Sequence, residues 1–244
     1  MTMHVRTNVC CCLFYLSGVR HLPTDLLQKL LCLIPYHVAW GCTNSFWVYY
    51  VLGEVVNTEQ SRGFVGIVCM IDFSTSLAFS YFGNLMTKRV LSSQTPMIMW
   101  GWLCMTTIGL LVLTLSNHEL GTRRRIIAYA VTHGMARAVY ENNHKAVIAN
   151  FFPEHETVAY SVTSFSKTLT SGITFMYYAF LVTRDIYGVV VIVTSGLGLL
   201  GYLSASVIHQ REIVDGYKSL RSSSLSLNSD VTSDNSLLFV ADYF

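Results

Sequence analysis

The stretch "IIAYAVTHGMARAVYENNHKAVIANFF", residues 126–152, decides the fold. Its flanks are apolar enough for hydrocarbon, yet its middle carries Arg137, Glu141, His144 and Lys145 within nine residues. A helix needs about 20 apolar residues to cross about 30 Å of lipid tails. An ionisable side chain at the bilayer centre costs about 2.5–3.5 kcal/mol on insertion scales, so it normally faces a partner or a water-filled space. The stretch therefore reads as a membrane helix with one wet stripe.

Outward from it the same length of apolar sequence recurs. Six stretches fit, at about 30–53, 63–82, 96–115, 126–149, 157–182 and 186–208. Charged residues make up only 12% of the chain, against about 25% in an ordinary soluble domain. The mean hydropathy of +0.45 agrees. The apolar runs are continuous, whereas a membrane β-barrel needs alternating segments of about ten residues. The fold class is thus all-α, a polytopic transmembrane bundle of about six spans. The connections are short and polar, as in "NTEQSR" and "FFPEHE". Pro96 stands where a helix can begin, and Pro153 lies in a loop. Pro35 falls inside the first span and predicts a kink or a late start.

The two ends differ from this membrane domain of residues 30–208. Residues 1–29 hold an apolar run from Val9 to Val19 that is too short to span. It has the outline of a signal peptide without a clear cleavage site, and a gene-model remnant explains it equally well. Residues 209–244 are serine-rich and read as a disordered cytoplasmic tail. Within that tail Tyr217 and Leu220 fit the Tyr-x-x-apolar pattern of a sorting signal. With both ends cytoplasmic, eight basic residues fall on that side against five opposite, as the positive-inside rule prefers. The triple arginine at 123–125 argues the other way. The protein is expected to be integral to a membrane, with plasma and endosomal or lysosomal membranes not distinguished.

Several classes are set aside. A net charge of +2 without a basic stripe gives no nucleic-acid surface. The seven cysteines lack metal-ligand spacing, so neither metal nor other cofactor is expected. No phosphate-cradling glycine loop, nucleophile elbow or HExxH occurs, and the reading is non-enzymatic.

The intramembrane charges are unevenly shared. The second span has Asp72, the fourth has the quoted cluster, and the fifth has Lys167, while the third and sixth have none. Two helices of each triplet would thus border a polar interior and the third would face lipid. Paired inverted triplets of this kind build each half of a major-facilitator transporter. At about 100° per residue, His133, Arg137, Tyr140, Glu141 and His144 share an arc of roughly 100°. Arg137 with Glu141, and Glu141 with Lys145, stand four apart and are placed to pair along the helix. Asp72 and Lys167 lack partners in their own helices and are expected to pair structurally.

Two groups of residues carry a family likeness. Gly83, Leu85, Lys88 and Arg89 resemble a degenerate Gly-x-Leu loop of the major facilitators, without its usual acidic residue. Gly134, Ala136, Ala138, Val139, Tyr140 and Glu141, then Phe152 and Pro153, then Ala159 and Tyr160, resemble the C-terminal half of the uncoordinated-93-like family. The likeness covers roughly residues 30–208. It implies a major-facilitator half that regulates or traffics a channel or receptor, or retains vestigial transport. Arg137 stands where that family usually has an acid, and Glu141 where it has an amide. The family fold has twelve spans, which implies a second half-size subunit or an incomplete, inactive half. The residues themselves leave a further alternative: an ion- or proton-coupled solute carrier using Asp72, Arg137 and Glu141.

Overall fold

In a computed structural model the chain is a bundle of long helices, with no strand among the described residues. The structure describes residues 24–56, 62–87, 94–180 and 184–228. Helix α1 (Thr24–Phe46) continues as a π-helical segment, Trp47–Val56. Helices α2 (Arg62–Met86) and α3 (Thr95–Thr114) follow, then the short α4 (Asn117–Leu120). Helix α5 (Arg123–Ala138) passes through a π-helical turn, Val139–Asn143, into α6 (His144–Phe151). Helices α7 (Glu156–Phe180) and α8 (Arg184–Asn228) complete the chain.

The breaks follow from local chemistry. Pro96 sits in the first turn of α3, where its missing N–H is no loss. Ser116 and Glu119 form a reciprocal capping box on α4. Phe152, held non-helical before Pro153, ends α6. Pro35 lies inside α1, which nevertheless runs on from Thr24, so the late start does not occur.

Among the described residues three helices are long and apolar enough to cross a membrane: Gly63–Met86, Thr95–Thr114 and Asp185–Lys218. The chain is therefore compatible with a membrane protein. Helix α8, at about 1.5 Å per residue, is about 68 Å long and outruns any bilayer core. Its helix continues to Asn228, through the first part of the serine-rich tail.

Helices α1, α8, α3 and α5 form a ring. Helix α1 packs on α8, α8 on α3, and α3 on α5. Helix α7 packs on α1 from outside, and α2 packs on α5. Between α1 and the α5–α6 rod the gap is filled by rings. Trp40 stacks on His133 and Tyr140, and Trp47 on Tyr129 and His133. Two apolar clusters share these rings, Trp40 and Tyr140 belonging to one and Trp47 and Tyr129 to the other. One surrounds Leu33, Tyr36, Met105 and Phe152, and the other Phe46, Val51, Ile108 and Tyr129.

Glycines set the closest approaches. A methyl group at Gly101 would lie 2.7 Å from a Val139 methyl, and one at Gly198 would lie 2.9 Å from the Tyr36 Cα. Gly109 and Gly188 meet where α3 crosses α8. Gly83 is buried where the end of α2 meets Met97 of α3, and Leu85 is exposed. Lys88 and Arg89, the basic pair of that loop motif, lie outside the described residues.

Candidate functional site

The charges on the α5–α6 rod divide into three groups rather than one stripe. The first joins α5 to α2. Asp72, 1% exposed, accepts from His133 Nδ1 at 2.8 Å and from Arg137 Nη1 at 3.4 Å. His133 is wholly buried between Trp40 and Trp47, and its Nε2 has no hydrogen-bond partner. The Arg137 guanidinium lies 4.2 Å from the centre of the Phe73 ring, a geometry that favours a cation.

The second group lies in the aromatic slab. His37 Nδ1 is 2.6 Å from Tyr140 Oη, and His37 Nε2 is 2.5 Å from His144 Nε2. Only one proton can stand between two imidazole nitrogens at that distance, so one ring donates and the other accepts. His144 Nδ1 is buried without a partner. The series Tyr140, His37, His144 is thus a chain of exchangeable protons with one open end.

The third group joins α6 to α7. Glu141 lies 3.3 Å from the Lys145 ammonium and 3.6 Å from that of Lys167. Lys167 stands 5.0 Å from the centre of the Tyr140 ring. A cavity of about 110 Å³ opens beside these groups, lined by His37, Tyr140, His144, Ser164 and the three charged residues among others. Arg137, Glu141 and Lys167 are each about one-third exposed.

These contacts correct two expected pairings. Arg137 turns to Asp72 and not to Glu141, and Lys167 turns to Glu141 and not to Asp72. The expected Glu141–Lys145 pair does form. The shared arc also dissolves, because the π-helical turn at 139–143 adds an extra residue to the rotation. Tyr140 and His144 turn inward to the slab, while Arg137 and Glu141 remain about one-third exposed.

The sequence alone did not single out the role of His37 or the two tryptophans that enclose His133. A lone histidine in an apolar run carries no sign of its partner. Tyr217 is exposed on α8, and the Leu220 side chain lies outside the described residues. Among the described residues no three His, Cys, Asp or Glu side chains converge as a metal site would need. Compared with known proteins, the chain matches no family model, no curated protein and no solved structure.

Proposed function

We propose that this chain is a membrane-embedded carrier body of six crossings, whose partly exposed charges on the α5–α6 rod and α7 line a water-filled path for an ion- or proton-coupled solute. The observation that carries this reading is the one-third exposure of Arg137, Glu141 and Lys167, charged groups of the α5–α6 rod and of α7. Charges at that depth need water or a partner. A docking surface for a channel or receptor has no such need, so these charges favour transport over the regulatory role that the family resemblance also implies.

The packing supports two inverted triplets. Exchanging α1 with α5–α6, α2 with α7, and α3 with α8 maps the main helix packings onto one another: α1–α8 onto α5–α3, α1–α7 onto α5–α2, and α3–α8 onto itself. Gly41 and Gly134 correspond, as do Asp72 and Lys167, and Gly101 and Gly198. Their separations are 134 − 41 = 93, 167 − 72 = 95 and 198 − 101 = 97 residues. One spacing near 95 residues fits a duplicated unit better than unrelated coincidences do. Paired inverted repeats of this kind make half of a major-facilitator fold, in keeping with the uncoordinated-93-like resemblance. The partly exposed charges would then face a second six-helix body, such as a second half-size subunit.

Cysteine accessibility tests this reading. On a background free of the native cysteines, Arg137→Cys, Glu141→Cys and Lys167→Cys should react with a membrane-impermeant thiol reagent. Leu77→Cys and Leu197→Cys, on exposed apolar faces of α2 and α8, should not. Protection of all three charged positions in intact membranes would remove the path.

A further inference from the structure

We propose that the cavity between α1, α6 and α7 binds a small monovalent anion of the size of chloride, nitrate or formate. The inference rests on the reading that these charges meet water, and it adds the class of ligand.

The wall decides the sign of the charge. Lys145 and Lys167 both approach the single carboxylate of Glu141, which leaves one positive charge in excess. The other ionisable groups in the wall, His37, His144, Tyr140 and Tyr160, carry no formal negative charge. Arg137, one turn before Glu141, is matched by Asp72 and adds nothing to the excess. Of the two ammoniums Lys167, 30% exposed against 48% for Lys145, is the more sheltered; a sheltered charge without a full partner is costly, and an anion seated beside it removes that cost. A cation would find only the Glu141 carboxylate, already shared by two lysines.

The donors agree. Two ammoniums offer six N–H groups, more than one carboxylate accepts. Lysines from α6 and α7 hold the site from two sides, so an anion there ties the two helices together. The Ser164 side chain stands in the same wall and brings a hydroxyl. Volume sets the size. The cavity holds about 110 Å³, against about 300–1,000 Å³ for sites that take drug-sized ligands. One excess charge is matched by one negative charge, which selects monovalent anions.

The full chain in lipid nanodiscs provides the test, with sodium chloride, nitrate or formate titrated against sodium gluconate at constant ionic strength. The thermal midpoint should rise and saturate with the three small anions and stay level with gluconate. Removing one unit charge about 4 Å from the ion changes affinity about fivefold even at full aqueous screening. Lys167→Gln should therefore weaken binding at least about fivefold. Glu141→Gln, which doubles the excess charge, should strengthen it by a similar factor. This reversal of sign separates an anion site from a structural ion pair, whose loss would impair both variants alike. Equal responses to gluconate, or weakening in both variants, would overturn the site. Thiol labelling at position 141 without any anion response would remove the anion site and leave the path. Protection of positions 137, 141 and 167 from the thiol reagent would remove both.

Discussion

Gly134 stands against the main chain of Asp72 as Gly41 stands against that of Lys167. A methyl group at Gly134 would lie 2.5 Å from the Asp72 carbonyl oxygen, and one at Gly41 would lie 2.8 Å from the Lys167 carbonyl oxygen. Each glycine lets a ring helix touch its outer neighbour backbone to backbone. That approach brings Asp72 within reach of His133 and Arg137, and Lys167 within reach of Glu141.

The two contacts predict a sharp contrast among alanine substitutions. Gly134→Ala forces α2 and α5 apart and should destabilise by about 1–3 kcal/mol, as overpacking does. Gly172→Ala meets nothing within 4 Å, and the better helix former should be neutral or stabilising by up to about 1 kcal/mol. Thermal melts of the purified chain in detergent distinguish them. Equal midpoints would mean that the close approach does not matter to stability.

Lys29 predicts an asymmetry. Its ammonium is buried, 2.6 Å from Glu212 Oε2 and 3.2 Å from the Phe151 carbonyl oxygen. It thereby ties the start of α1 and the end of α6 to the interior of α8. Glu212 is 37% exposed and can turn to water if abandoned; the lysine cannot. Glu212→Ala should therefore destabilise by about 1–3 kcal/mol, the scale for a buried group that loses its partner. Lys29→Met, which keeps the apolar stem, should cost less than about 1 kcal/mol. The double variant should recover most of the loss. A melt series in which Lys29→Met is the worse single variant would show that the survivor's solvation is not what matters.

How far the sequence reaches can be judged from these residues. The long apolar helices α2 and α3 were legible because continuous apolar runs and Pro96 mark them locally. The ionisable residues were legible as anomalies against hydrocarbon. Their partners were not. Rotation by 100° per residue describes one regular helix, and the π-helical turn at 139–143 breaks that regularity. Asp72 and Lys167 find partners on other helices, and no local pattern in one helix specifies which. Gly134 and Gly41 were ordinary glycines until the helices they admit were in place. The expectation of a disordered tail from position 209 rested on composition, and composition did not register that α8 continues to Asn228.

Acid should loosen the turn before α5. The Glu119 carboxylate accepts from the backbone N–H and the hydroxyl of Ser116, and these bonds hold its pKa below the ordinary glutamate value, aided by Arg125. A depressed folded pKa stabilises the turn above the unfolded pKa. That support is lost as pH falls through the folded pKa. Amides of Leu120 and Gly121 should thus lose protection in hydrogen exchange, corrected for the intrinsic pH effect, as the medium is taken below the ordinary glutamate range. In Ser116→Ala the protection at neutral pH should already be reduced and its pH dependence shallower. The same acid response in both proteins would dissociate the turn from its cap.

The pair His37 and His144 predicts a spectroscopic signature. Their Nε2 atoms are 2.5 Å apart, so one must be protonated and the other bare. If Tyr140 donates to His37 Nδ1, then His37 Nε2–H donates onward and His144 carries its proton on Nδ1. If His37 donates to Tyr140, then His144 Nε2–H donates back and Nδ1 is bare. Nitrogen-15 spectra of histidine-labelled protein in lipid should accordingly show one donor and one acceptor at the two Nε2 positions. Tyr140→Phe removes only the phenol and should keep that pairing, while His37→Gln should abolish it. The latter also strands a nitrogen of His144 that is buried with the rest of the ring, at about 1–3 kcal/mol for an unsatisfied polar group. Unchanged His144 nitrogen signals in His37→Gln would mean that the two rings do not share a proton, and the chain from Tyr140 would end at His37.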